Sequence, residues 1–186
     1  MQTQTTIWTQ KPKKKQSKGY IHLYTGNGKG KTTAAIGLSV RAACAGFNVY
    51  IGQFVKGMEY SEVKISQFLP NITIEQYGQD CFIEKAPTDE DVDLAKCGLD
   101  KIKEVLTSGE YDMVVLDEVT IALYFKLFTI GELLDVLKMR NENIEVVMTG
   151  RYADEKLIEF SDLVTEMKEI KHYYNVGVEA REGIER

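Results

Sequence analysis

Thr25-Gly26-Asn27-Gly28-Lys29-Gly30-Lys31-Thr32-Thr33 brings together the residue types that can hold a polyphosphate. Glycines let the chain curl with its backbone N–H groups turned inward, a lysine can reach the outer phosphates, and a neighbouring hydroxyl can ligate Mg2+. On this reading Gly26, Asn27, Gly28, Lys29, Gly30, Lys31, Thr32 and Thr33 bind a nucleoside triphosphate, with Thr32 on the metal. The spacing departs from the usual loop in one respect: counting back from Gly30, Thr25 stands where the first glycine is expected and Gly26 comes one residue late. Gly28 still allows the curl. A dinucleotide fingerprint fails, because Lys31 occupies the place of its third glycine.

Such a loop works only between a strand and a helix. Residues 19–24 are rich in β-branched and aromatic side chains and predict the strand, and 33–45, rich in Ala, Ile, Leu and Val, predict a buried helix. The helix N-terminus then adds roughly half a positive charge facing the phosphates. Further along, strands are expected at 48–55, 72–74, 113–116, 144–148 and 163–167. Helices are expected at 61–69, from Thr88 to about 106, at 130–139 and at 154–160. Thr88 and the acids Asp89, Glu90 and Asp91 mark one helix start, and Ser108-Gly109 its stop. Apolar strands alternating with helices predict a single α/β domain over 19–186, a mostly parallel sheet covered on both faces. Residues 1–18, rich in Gln, Thr and Lys without apolar period, read as a flexible basic arm, with Trp8 either exposed or an anchor.

In such a sheet, ligands gather at the carboxyl ends of the strands. Asp117-Glu118 follows the run 113–116 and can hold a hard cation, directly or through water. Lys56, after the strand at 48–55, either touches phosphate or is solvated. Arg151, after 144–148, either forks onto a phosphate or makes a surface ion pair. His22 and His172 stand outside any nucleophile setting, as do the cysteines and serines. Two routes to chemistry remain: water polarised by Glu118, or a second substrate that brings its own nucleophile.

With 186 residues the chain suits one self-supporting core. Its formal charge of −5 argues against nucleic acid as a main partner, although Lys11, Lys13, Lys14, Lys15 and Lys18 crowd one end. Cys44, Cys81 and Cys97 form neither a paired disulfide pattern nor a zinc spacing, which suits a reducing cytoplasm. No apolar run is long enough to span a bilayer, so a soluble protein without membrane association is expected.

Taken in order, 26–35, Gln53-Phe54-Val55-Lys56-Gly57, Val114-Val115-Leu116-Asp117-Glu118, Thr149-Gly150-Arg151 and Lys171-His172 with Gly177-Val178 resemble the P-loop type of ATP:corrinoid adenosyltransferase. The resemblance covers about 19–184, and the late glycine is that family's own loop form. It implies a P-loop NTPase-like (RecA-like) fold. It also implies transfer of the 5′-deoxyadenosyl group of ATP to the Co(I) of a reduced corrinoid, releasing triphosphate, in adenosylcobalamin biosynthesis or salvage. Lys31 and Arg151 would neutralise the triphosphate, Thr32 and Glu118 would hold Mg2+, and Lys31, Glu118 and Arg151 would carry catalysis. Phe82 would cover the lower corrin face or else pack in the core; the Phe-x-Trp pair of some members is missing here. The resemblance further implies a homodimer, and an electron-donor reductase or flavoprotein as partner. The alternatives are a P-loop ATPase or small-molecule kinase, which would release ADP and phosphate or phosphorylate a substrate, and a nucleotide-dependent module that binds without turnover.

Overall fold

A computed structural model describes residues 16–58, 60–79 and 86–186. Trp8, the lysines 11–15, Cys81 and Phe82 lie outside those residues, so the arm and the Phe82 lid keep only their sequence reading.

The chain begins with β1 (Ile21–Thr25), α1 (Lys31–Cys44) and β2 (Val49–Phe54), followed by a 3-10 segment, Ser61–Gln67. Next come β3 (Ile72–Tyr77), α2 (Asp89–Ser108), β4 (Met113–Asp117) and α3 (Val119–Tyr124). The chain closes with α4 (Ile130–Lys138), β5 (Glu145–Thr149), α5 (Glu155–Phe160), β6 (Leu163–Glu166) and a second 3-10 segment, Tyr173–Val176. Thr88 caps α2 and Thr129 caps α4, each in a reciprocal box with the acid three residues on, Asp91 and Glu132. Helix α3 and the 3-10 segment Tyr173–Val176 are elements the sequence reading lacks, and the helix expected at 61–69 is instead the 3-10 segment Ser61–Gln67; α3 starts directly after β4 with Glu118 at its N-cap and no side-chain cap.

The six strands form one parallel sheet in the order β3-β2-β4-β5-β1-β6. Strand β5 therefore separates the strand that leads into the glycine loop from the strand that ends in Asp117. Both faces are packed, as the continuous apolar strands require. On one, Ala35, Ala42 and Ala43 of α1 lie against Ile51, Val115 and Val147; on the other, Leu99, Ile102 and Leu106 of α2 join Leu133 and Leu137 of α4 over Tyr50, Val114 and Val146. The small alanines of α1 let that helix sit close to the sheet and point its N-terminus at the rim. At the far edge β6 is exposed along its whole length.

All four central strands end in unusual backbone on the same rim. After β1 comes Gly26 (φ 98°), after β2 Val55 (58°), after β4 Glu118 (57°), and after β5 Gly150 (137°) and Tyr152 (56°). A left-handed valine or tyrosine is uncommon, and such conformations concentrate at functional sites.

Candidate active site

Helix α1 opens without an acid in its first turn, so its N-terminal N–H groups are available to an anion. Gly30 (φ 117°) turns the loop into that helix. The loop itself is backed by the segment after β6: Gly28 N–H donates to the Met167 carbonyl at 2.7 Å, and Met167 N–H to the Thr25 carbonyl at 2.8 Å. A Cβ on Gly28 would lie 2.8 Å from that carbonyl oxygen, so the glycine is required by the close approach. Within the curl the Lys31 ammonium, 6% exposed, donates to the carbonyls of Gly26 and Gly28 at 2.8 Å each. Burial lowers its pKa, against the opposing attraction of Glu118. The lysine is thus held at the centre of the loop, partly desolvated.

Asp117 is the hub beneath it. The carboxylate is fully buried and accepts from Thr32 Oγ1 (2.8 Å), Thr149 Oγ1 (2.6 Å), Gln53 Nε2 (3.1 Å) and Lys56 Nζ (2.8 Å). Burial alone would raise its pKa, but the Lys56 charge and these hydrogen bonds overcome that and hold it below the ordinary carboxylate range. Lys56, expected to be either a phosphate contact or solvated, lines the cavity and is also tied to the site's own acid; β2 and β4 are paired with Gln53 opposite Asp117, which brings the residue following the left-handed Val55 back over the carboxylate. Its ammonium also lies 5.0 Å from the Tyr60 ring centroid.

Glu118 is aimed differently. Its N–H donates to Thr149 Oγ1 at 2.9 Å, which fixes the left-handed turn, and its side chain faces the cavity. Burial, reinforced by the Asp117 charge, raises its pKa, with Lys56, Lys31 and Arg151 pulling the other way. Two adjacent carboxyls are therefore pushed in opposite directions by their surroundings.

Arg151 is exposed at the cavity wall rather than engaged in a salt bridge among the described ones, so the phosphate-facing option is the one its position supports. The turn that presents it is clamped by Thr120, whose hydroxyl donates to the Arg151 carbonyl at 2.6 Å. Gly150 makes this possible: a Cβ there would meet Thr120 Oγ1 at 2.2 Å and Glu118 Oε2 at 3.2 Å. The variant Gly150→Ala is expected to lose about 1–3 kcal/mol of stability through strain at this turn, as read by urea unfolding.

These groups surround one cavity of about 710 Å3, within the usual size of a small-ligand site. The loop 28–33, Lys56, Glu62, Glu118 and Arg151 form its charged lining, and Ile36, Val55, Tyr60, Ile121 and Phe125 an apolar wall. The C-terminal segment closes a third side, through His172 and 183–186. Lys29 Nζ donates to Tyr173 Oη (2.8 Å), the Ile184 carbonyl (3.1 Å) and Glu185 Oε1 (2.7 Å). Arg181 and Tyr173 also bond Glu185, and these donors, Arg181 first, hold its carboxyl well below the ordinary range. Lys29 is therefore engaged with the tail, and Asn27 stands in the loop between Gly26 and Gly28. Tyr173, Arg181 and Glu185 are absent from the sequence-based site; only Lys171-His172 and Gly177-Val178 hinted that the tail returns. His22, at the opposite end of β1, bonds Glu145 at 2.6 Å, away from the cavity.

Thr32 and Glu118 offer hydroxyl and carboxylate oxygen at the charged wall, a donor set that suits a hard cation such as Mg2+, which commonly binds through one or two carboxylates together with substrate phosphates. Among the described residues no cluster of three or more His, Cys, Asp or Glu could hold a metal alone. No helix among them is long and apolar enough to cross a membrane.

The family model for ATP:corrinoid adenosyltransferase BtuR/CobO/CobP matches residues 17–186. A corrinoid adenosyltransferase of Sinorhizobium sp is 36% identical over 176 residues, covering 92% of this chain and 82% of the relative. The corrinoid adenosyltransferase CobA of Salmonella typhimurium is 32% identical over 181 residues, covering 91% and 87%. A corrinoid adenosyltransferase of Pseudomonas aeruginosa is 31% identical over 173 residues, covering 92% and 85%.

Proposed function

Because the chain belongs to the ATP:corrinoid adenosyltransferase family, we propose that the cavity holds ATP by its triphosphate and presents the ribose 5′ carbon to the Co(I) of a reduced corrinoid. The cobalt electron pair forms the new Co–C5′ bond, the C5′–O bond breaks, and its electron pair leaves with triphosphate. No proton needs to be moved, so the chain requires no general base. Its tasks are positioning and stabilisation of the departing charge. Lys31 and the N–H groups of the loop and of α1 meet the triphosphate; Arg151 adds a second positive charge from the strand end after β5. Asp117 is a positioning residue that orients the Thr32 hydroxyl, while Lys56 neutralises it. Thr32 and Glu118 hold Mg2+, which when bound draws charge from the triphosphate oxygens.

The single observation that carries the reading is the convergence of the loop, Glu118 and Arg151 on one cavity, in a chain of this family. We place the protein in the cytoplasm and assign the electron to a separate reductase or flavoprotein. A homodimer is the expected assembly, for which the exposed edge strand β6 with Leu163 and Val164 offers a surface. Anaerobic incubation with MgATP and chemically reduced cobalamin should yield a light-sensitive alkyl-cobalt product. Hydrolysis of ATP at the same rate without corrinoid, and no alkylated product with it, would support an ATPase instead.

The raised Glu118 pKa sets a direction for pH. Its carboxylate is charged above the raised value and protonated below it, so the Mg2+ concentration needed for half-maximal activity should climb as pH falls through that value. Glu118→Gln should raise the requirement roughly tenfold or more and flatten its pH dependence, measured by Mg2+ titration at several pH values.

A further inference from the structure

Next in the chain to residues that line the cavity, Tyr124 at the end of α3 and Tyr152 after β5 lie with ring centroids 4.5 Å apart and planes tilted by 30°. Both are 57% exposed, large apolar faces that the fold has not buried. Tyr124 also meets Phe125 edge-on at 5.5 Å, and Phe125 and Arg151, the neighbours of the pair in sequence, line the cavity. Neither tyrosine lines it. The pair is therefore an exposed aromatic ledge outside the cavity, joined to its lining through the Tyr124–Phe125 contact.

The backbone beneath the ledge is unusual. Tyr152 has φ 56°, a left-handed conformation that glycine adopts freely and a bulky side chain seldom does. Two hydrogen bonds over-determine that turn: Thr120 Oγ1 to the Arg151 carbonyl at 2.6 Å, and Glu118 N–H to Thr149 Oγ1 at 2.9 Å. The same contacts couple α3 to the β5 turn, so the two rings are presented together.

Size decides what the ledge can serve. A cavity of about 710 Å3 is suited to a nucleotide, and Ile36, Val55, Tyr60 and Ile121 are among the apolar residues that line it. A corrin macrocycle with its fringe of amide arms is far wider and must rest largely on the rim. Tyrosine rings provide apolar faces for the macrocycle edge at small entropic cost, and hydroxyls that can meet amides.

We propose that Tyr124 and Tyr152 form a docking ledge for the periphery of the corrin substrate, making them specificity-determining residues for the second substrate and not for ATP. The inference rests on the adenosyltransferase reading above. The test uses the full chain with chemically reduced cobalamin under anaerobic conditions, in the wild type and in Tyr152→Gly, Tyr124→Ala and Tyr124→Phe. Tyr152→Gly removes the ring while relieving the left-handed backbone, so its thermal midpoint should not fall. Each ring-deleting variant should raise the KM for cobalamin about fivefold, the scale of a lost aromatic contact, with the KM for ATP within about twofold of wild type and Tyr124→Phe close to wild type. An unchanged cobalamin KM in both ring-deleting variants, alongside an active wild type, overturns the ledge alone. A rise confined to the KM for ATP overturns it too, and makes the purine the occupant. A wild type inert toward reduced cobalamin overturns the function and the ledge together.

Discussion

Lys31→Ala is expected to slow adenosyl transfer by about a hundredfold or more, the scale seen when one preorganised electrostatic contact to developing charge is removed. The side chain stands within the loop, 6% exposed, where the effective dielectric is low and a positive charge counts for more than at the surface. As C5′–O breaks, negative charge accumulates on the triphosphate. A contact that strengthens during that step lowers kcat, whereas uniform binding would change KM alone. The fall should therefore lie mainly in kcat at saturating MgATP, measured as alkyl-cobalt formation under anaerobic conditions. Lys31→Arg should not restore the rate, because a planar guanidinium does not reproduce a point ammonium that bonds the Gly26 and Gly28 carbonyls together.

Asp117→Ala should be the most damaging substitution for stability. It strips the acceptor from Thr32, Thr149, Gln53 and Lys56 at once, and leaves the Lys56 ammonium in a largely enclosed setting with only the longer 3.8 Å pair to Glu62. Breaking a buried pair in this way costs about 3–5 kcal/mol. Urea unfolding should register that loss, and the double variant Asp117→Ala with Lys56→Met should recover part of it by removing a buried charge that has lost its closest partner. The pH dependence has a definite sign. The Asp117 pKa is lower folded than unfolded, so its stabilisation is present above the ordinary aspartate value of about 3.9 and is lost as pH falls through the lowered folded value. The acid-side loss of stability should be smaller in Asp117→Asn than in the wild type. Thr32 would also lose its orientation, so any surviving Asp117 variant should transfer slowly.

The parts of the site that could be read from sequence are those written in contiguous residues. Gly26 to Thr33 carries its own geometry, because glycine spacing, lysine and hydroxyl act within one turn and the flanking strand and helix are strongly patterned. The rim positions of Glu118 and Arg151 followed from apolar runs and the rule that ligands collect at strand ends. What stayed hidden depends on strand order and on irregular chain. Lys56 belongs to Asp117 only because β2 lies beside β4 in register, a pairing absent from local pattern. Helix α3 was invisible because it begins at a left-handed glutamate with no capping side chain. The tail that brings Tyr173 and Glu185 onto Lys29 has only a short 3-10 turn and a few hydrogen bonds, and no hydrophobic period announces it. Strand β6 reads as apolar at Leu163 and Val164 yet lies exposed at the sheet edge, since periodicity reports polarity and not neighbours.

In the proposed reaction the triphosphate departs as one piece when cobalt attacks the sugar. Phosphorus NMR of an anaerobic reaction containing MgATP and chemically reduced cobalamin tests it directly. One inorganic triphosphate should appear for every adenosylated cobalamin, with ADP and orthophosphate near background. Release of ADP and orthophosphate without stoichiometric alkylation of cobalt would contradict it.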